Sequence, residues 1–275
     1  MVSMGPWAAE SLPDEDAVWR GLQSHAFLYE LRHGQFQADW GLYRFLASEA
    51  SGPVLEAGCG TGRLLPLLAE VAPLVVGVDK DASMLESARQ RVAGAGPGRV
   101  LLLQADLQAL PVQDMALIVM ALNTLAELPS PAQQAAALQA ASRALRRGGL
   151  LVLDVPNAPV EASARPDAAL ILEHTYDLGN GLLQEWSVTH WRSHSQQLEV
   201  TLVYDYIGPS AVVRRKCITK LLRLPYRSEL ELMLKEAGLH STQVFGAYDM
   251  QPWCDESPRL LMLAQKPTGK RRKLD

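Results

Sequence analysis

Hydrophobic positions along the chain fall into three regimes. Between residues 17 and 50, Trp19, Leu22, Phe27, Leu28 and Leu31, then Leu42, Phe45 and Leu46, recur at helical spacing and predict a helical segment. From Pro53 onward, short apolar runs alternate with helical stretches. They predict strands at Val54–Ala57, Leu74–Asp79, Val100–Gln104, Met115–Leu122 and Leu150–Val155. These runs are nearly continuous in apolar residues, as parallel strands covered by helices on both faces should be. Punctuation supports the helices between them. Ser130-Pro131 reads as an N-cap and a first-turn proline, with Leu138, Ala141 and Leu145 on one face and Gly148-Gly149 at the end. Asp81 is placed to cap a helix carrying Met84, Leu85, Ala88 and Val92. Ser228 with Glu231 predicts a capping box for a last helix, closed by Gly238.

The third regime has period two. Leu198, Val200, Leu202, Tyr204 and Tyr206 alternate with Glu199, Thr201 and Asp205, which predicts a half-exposed antiparallel strand. Gly179-Asn180-Gly181 and Gly208-Pro209 mark turns around it. Four such strands are expected, at 169–177, 182–192, 197–207 and 212–224, inserted after the fifth parallel strand. The chain leaves that strand at Val155-Pro156, on the carboxyl edge of the sheet. Short connections should keep the insert there, roofing the adjoining cleft, with Tyr204 or Tyr206 beside Tyr29. Its other expected use is a homodimer surface.

Composition narrows the class. Of 275 residues, 48% are hydrophobic and 20% charged, which suits one large, well-filled globular domain with elaborations. A membrane helix needs about 20 apolar residues, and the longest run, Met115 to Leu122, falls far short. The N-terminus carries Glu10, Asp14, Glu15 and Asp16, unlike a signal peptide, so a cytoplasmic location is expected. A net charge of −4 gives no general attraction for nucleic acid, and Lys270-Arg271-Arg272-Lys273 reads as a solvated tail. Cys59, Cys217 and Cys254 are too scattered for a disulfide framework or a metal site. The expected organisation is a flexible segment 1–16, one domain over 17–266 and a flexible basic tail 267–275. Within the domain lie an N-terminal helical segment (17–50), a parallel α/β core (51–156), the insert (169–224) and a C-terminal core (225–266).

The chemistry concentrates at strand ends. Glu56-Ala-Gly58-Cys-Gly60-Thr-Gly62 follows a strand and opens a helix, where glycines permit a tight turn and close approach of a ligand. Asp79 ends the next strand, 21 residues after Gly58, and suits ribose hydroxyls. Asp106 ends the third, where a carboxylate can meet an adenine amino group. Glu56, Gly58, Asp79, Asp106 and Asn123 all map to the carboxyl edge, where open α/β sheets bind ligands. The GxGxG spacing differs from the GxGxxG of dinucleotide sites, and Glu56 would repel a pyrophosphate. A cationic ligand with an amino group fits better, and S-adenosylmethionine is such a ligand. A nicotinamide oxidoreductase is disfavoured on the same grounds.

The segment Pro53-Val-Leu-Glu-Ala-Gly-Cys-Gly-Thr-Gly-Arg63 closely resembles the first motif of the class I S-adenosylmethionine-dependent methyltransferases, and Gly77-Val-Asp79 with Asp81, Ser83, Met84 and Leu85 resembles the second. Asp39-Trp-Gly-Leu-Tyr43, Leu122-Asn-Thr-Leu125 and the stretch from Glu236 to Lys266 are similar to a bacterial subgroup acting on small molecules. The resemblance spans roughly residues 27–266. It implies a Rossmann-like α/β fold with a doubly wound, mostly parallel seven-stranded sheet, an antiparallel C-terminal hairpin, an N-terminal helical lid and the small β insert. It also implies that Gly58, Gly60 and Gly62 line the methionine arm, that Asp79 holds the ribose, and that Met84 and Asp106 meet the adenine. Glu56, Cys59, Arg63, Lys80, Leu107, Leu122 and Asn123 complete the expected cofactor set. The chain departs from the family at Ala116, where many members carry Asp, and at Lys80, where a small or apolar residue is usual.

In-line methyl transfer needs mainly alignment and desolvation, and a base only where the nucleophile must lose a proton. Candidates are His25, Tyr29, His190, Tyr204 and Tyr206. Tyr29 and His190 are the catalytic residues expected, Tyr29 because the N-terminal helices of similar enzymes fold over the cofactor. No Asn/Asp-Pro-Pro-Tyr and no Pro-Cys follows the fourth strand, which points away from nucleobase acceptors. The expected reaction is methylation of O or N on a small molecule. The rivals are a non-catalytic cofactor-binding homologue and a methyltransferase of protein or RNA.

Overall fold

The structure, a computed structural model, describes residues 15–94, 99–164 and 166–268. Of the segments expected to be flexible, residues 1–14 and the basic run at 270–273 lie outside the described residues, whereas Glu15 and Asp16 open a helix and bond Ser210 and Arg214.

Three helices open the chain: α1 (Glu15–Leu22), α2 (His25–His33) and α3 (Trp40–Glu49). The parallel strands are β1 (Val54–Ala57), β2 (Val75–Asp79), β3 (Val100–Gln104), β4 (Met115–Met120) and β5 (Leu145–Pro156). Between them run α4 (Leu65–Val71), α5 (Ala82–Val92) and α6 (Pro131–Ala144). After β5 come α7 (Ala158–Ser163) and the insert strands β6 (Ile171–Asp177), β7 (Leu182–Arg192), β8 (Gln197–Ile207) and β9 (Val213–Arg223). Helix α8 (Arg227–Glu236) and the hairpin β10 (His240–Phe245) and β11 (Arg259–Gln265) finish the domain.

The main sheet has the order β10-β11-β5-β4-β1-β2-β3, and β6-β7-β8-β9 form a second, wholly antiparallel sheet. Strands β1 and β4 are buried along their whole length, which explains their unbroken apolar runs. Leu138, Ala141, Leu230 and Leu234 from α6 and α8 fill one face of the sheet. Leu42, Leu46, Leu68 and Leu85 from α3, α4 and α5 fill the other. The insert has its own cluster, in which Leu183, Leu202, Tyr204 and Tyr206 pack on Leu22 and Leu28 of α1 and α2.

Caps form where residue type and geometry agree. Asp81 accepts from the Ser83 amide at 2.8 Å, and Ser130 from the Gln133 amide at 3.3 Å. Three expectations change. Strand β4 stops at Met120 because Leu122 and Asn123 turn left-handed, with φ of 42° and 72°. Strand β5 begins at Leu145, directly after α6, and Gly148 with φ of 76° lies within it rather than ending a helix. The Ser228–Glu231 capping box does not form. Helix α8 starts two residues early, behind Tyr226, and Glu231 pairs with Arg227 instead.

Among the described residues, no helix is long and apolar enough to cross a membrane.

Candidate functional site

The glycine loop after β1 is held by backbone geometry. Gly58, Gly60 and Gly62 all have positive φ, at 77°, 52° and 78°. A Cβ at Gly58 would lie 2.4 Å from Thr124 Cγ2, so only glycine fits. The Gly58 and Cys59 amides donate to the Val78 carbonyl, tying the loop to β2. Asp79 closes the turn from the other side. One of its carboxylate oxygens accepts from the Gly60 amide and the other from the Asp81 amide, both at 2.9 Å.

This loop opens on a cleft at the carboxyl edge with about 820 Å³ of empty space. Of the residues singled out from the sequence, His25, Tyr29, Gly58, Gly60, Asp79, Lys80, Asp81, Met84, Asp106, Leu107 and Leu122 line it. Helix α2 lies across the loop, and a Cβ at Gly60 would sit 3.5 Å from the Tyr29 ring. Thr61 donates to Glu30 at 2.8 Å, and Arg91 of α5 pairs with the same carboxylate, so α2 is clamped over the cleft. Burial, then the nearby Glu56 carboxyl, raises the Tyr29 hydroxyl well above its ordinary range, so it stays protonated.

Cys59, Gly62 and Arg63 belong to the loop's underside. Cys59 Sγ lies beneath it against Gly77, and burial raises its thiol pKa. Gly62 packs on Ala88 and Leu65. Arg63 forms a buried bidentate pair with Asp39, at 2.8 and 2.5 Å, and also donates to the Phe36 carbonyl. Spacing shows that these residues share the loop but not which side they face. Glu56 is 4% exposed, and its Oε2 has no hydrogen-bond partner among the described residues. Burial pushes its carboxyl up to about 8 despite the opposing charge of Arg63.

Beyond the cleft lies a second cavity with about 920 Å³ of empty space. Leu198, Val200, Leu202 and Leu222 from the inner face of the insert form one wall of the second cavity. His33, Glu161, Glu173, Ser187, Thr189 and Arg259 add polar groups, as does Asn123, which was expected in the cofactor set but lines this space and not the first. Tyr29, Leu122, Glu127 and Lys220 line both spaces, so the two meet there. Lys220 of β9 reaches Glu127 at 3.6 Å, bridging insert and core.

The insert therefore roofs the cleft, but with different residues from those expected. Tyr204 and Tyr206 turn into the core under α1 and α2, and Tyr206 donates to the Asn180 carbonyl at 3.2 Å. Tyr204 reaches only a small recess behind Tyr29. His190 is corrected outright. Two-residue alternation sends Ser187 and Thr189 inward and His190 outward, where it is exposed and pairs with Asp167 at 2.8 Å.

One group was missed by sequence reasoning. Asp154, fully buried on β5, accepts from Tyr43 (3.1 Å), Tyr248 (3.0 Å), the Leu122 amide (3.0 Å) and Arg259 Nε (2.8 Å). Arg259 also donates to Asn123 Oδ1 at 2.7 Å. The network holds the left-handed Leu122–Asn123 turn that separates the two spaces. An acid within the apolar run Leu150–Val155 was the available signal, since a buried carboxylate must be partnered.

Residues 54–149 match the methyltransferase domain family. The chain is 26% identical over 242 residues to the cypemycin N-terminal methyltransferase of a Streptomyces species, covering 86% of this chain and 94% of that protein. Other matched methyltransferases are covered over only about half of their own length. Among solved structures, the CcbJ methyltransferase of Streptomyces caelestis superposes with a TM-score of 0.73 at 22% identity, over 84% of this chain and 90% of that one. The sugar N-methyltransferase KedS8 of Streptoalloteichus gives 0.70 at 19% identity, over 97% and 98%.

Proposed function

From the premise that the chain is a class I S-adenosylmethionine-dependent methyltransferase, we propose that it methylates an amine nitrogen on a small, hydroxyl-bearing molecule seated in the second cavity. The observation that carries this reading is the junction of the two spaces at Tyr29, Leu122, Glu127 and Lys220.

The first cleft fits the cofactor on its own geometry. The left-handed glycines leave room for a ligand against backbone, and the orphaned Glu56 carboxyl, protonated until a cation meets it, offers a partner for an amino group. Asp79 would hold the ribose, Met84 and Leu107 would sandwich the base, and Asp106 would meet its edge. Cys59, Gly62 and Arg63 act behind the loop, holding its shape. When bound, the cofactor supplies a methyl group on a good sulfur leaving group. The protein supplies alignment and exclusion of water, through the lid of α2 and the roof of the insert.

The lining of the second cavity favours the acceptor class. It pairs an aliphatic wall with carboxylates, hydroxyls and an amide, which suits a polyhydroxylated amine better than a hydrocarbon ring or a polycarboxylate. Two of the similar proteins support the nitrogen, since their names describe methylation of a peptide N-terminus and of a sugar nitrogen. Ala116 lies buried at the start of β4, away from both spaces, so the family's missing acid there does not weigh against activity.

The test is a methyl-transfer assay with amino sugars, short peptides with free N-termini and matched hydroxyl-only analogues, followed by mass spectrometry. Turnover confined to the amines is expected. Turnover of the hydroxyl-only analogues alone would overturn the nitrogen assignment.

A further inference from the structure

Tyr29 and His33 stand one turn apart on α2, with ring centroids 4.8 Å apart. Tyr29 borders both spaces, whereas His33 borders the second cavity and not the cofactor cleft. The stagger points one ring at the donor side and the other at the acceptor side. No hydrogen-bond partner holds the His33 imidazole among the described residues. The ring is partly buried in the wall of that cavity, so its nitrogens are open to whatever fills the space.

We propose that His33 contacts the acceptor directly, one ring nitrogen accepting an amine N–H so that the nitrogen lone pair is turned past Tyr29 toward the methyl group. This rests on the reading of the second cavity as the amine site.

Electrostatics agrees with the geometry. His33 ends α2, where the helix dipole favours a cation. Burial, followed by the charges of Arg32, Lys220 and Arg63, outweighs the dipole and pushes the imidazole down to about 3. The ring is neutral and can accept. The amine reacts as its free base. Its lone pair forms the new nitrogen–carbon bond as the carbon–sulfur bond breaks. The electron pair leaves on sulfur, and the product ammonium gives its extra proton to solvent.

The experiment compares wild type, His33→Ala, His33→Gln and Val200→Trp. An aminohexose, an aminopentose and a tetrapeptide with a free alanyl N-terminus serve as acceptors, and S-adenosylhomocysteine as the calorimetric probe of the cofactor cleft. His33→Ala should lose about 10- to 100-fold in kcat/KM, mostly in kcat, with S-adenosylhomocysteine affinity unchanged within about twofold. His33→Gln, which keeps an acceptor at similar reach, should recover most of that loss. Wild-type kcat/KM in His33→Ala, an equal loss of S-adenosylhomocysteine affinity, or no recovery in His33→Gln would each overturn the inference. Val200→Trp fills the cavity wall and should abolish turnover while sparing S-adenosylhomocysteine binding. Activity in that variant would instead overturn the cavity reading. Wild type that methylates none of the three amines would overturn the amine reading, and this inference with it.

Discussion

The cofactor cleft and the second cavity share a border yet are built in different ways. The cleft is shaped by backbone: three left-handed glycines, a carboxylate that ties two amides, and a helix clamped across the top. The cavity is shaped by side chains from one face of an inserted sheet, set against a turn held by Asp154. Backbone cradles tolerate little change, because all three glycines are left-handed and a Cβ at Gly58 collides with Thr124. A wall of Leu198, Val200 and Leu202 on a regular antiparallel strand can change size and polarity without disturbing the strand. The first region suits an invariant ligand and the second a ligand that differs between relatives.

Substitutions can break or sharpen this contrast. The largest effect is expected at the joint. Asp154→Ala leaves Arg259 buried without its counter-charge and releases the Leu122–Asn123 turn. It should cost about 3–5 kcal/mol in denaturant unfolding and weaken both ligands. Loss of acceptor binding alone would show that the turn serves only the cavity. Gly58→Ala should cost on the order of 2–5 kcal/mol of cofactor affinity, from the collision with Thr124 and the left-handed backbone. Thr124 cannot retreat freely, since its hydroxyl donates to the Ala121 carbonyl at 2.7 Å. Calorimetry with S-adenosylhomocysteine reads the loss, and wild-type affinity would refute the backbone cradle. Asp79→Ala follows, at on the order of 1.5–3 kcal/mol in the same titration.

Glu56 sharpens the contrast through pH. Its folded value of about 8 lies above the ordinary 4.5, so its contribution to stability is full below about 4.5 and is lost as pH rises through about 8. Glu56→Gln should therefore melt higher than wild type at pH 8 without ligand. At pH 7, S-adenosylhomocysteine should release close to one proton from wild type and none from Glu56→Gln, measured in buffers of different ionisation heat. The smallest effect belongs to His190→Ala, which should change neither ligand's affinity, because the ring faces solvent beside Asp167. A lost affinity there would mean that the insert meets the cleft by its other face.

How far the sequence reveals this follows from how local each signal is. The parallel strands and the glycine loop are written in contiguous residues, and the insert strands were legible to within two residues at their ends. His190 failed on parity, since one residue along a strand reverses the face and alternation alone does not say which face is inner. Cys59 and Arg63 failed because spacing locates a loop but not its two sides. The Asp154 network was illegible as a network. Tyr43, Tyr248 and Arg259 come from three distant segments, and only the folded sheet brings them to one carboxylate. His33 was hidden beside Tyr29, since helical spacing shows that the two share a face but not that the face spans two cavities.

The most direct measurement is a crystal structure with S-adenosylmethionine bound. The methyl carbon is expected among Tyr29, Leu122, Glu127 and Lys220, facing Val200 and His33 across the second cavity. A methyl carbon directed away from that junction, beyond side-chain reach of Tyr29 and Lys220, would contradict the division into a cofactor cleft and an acceptor cavity.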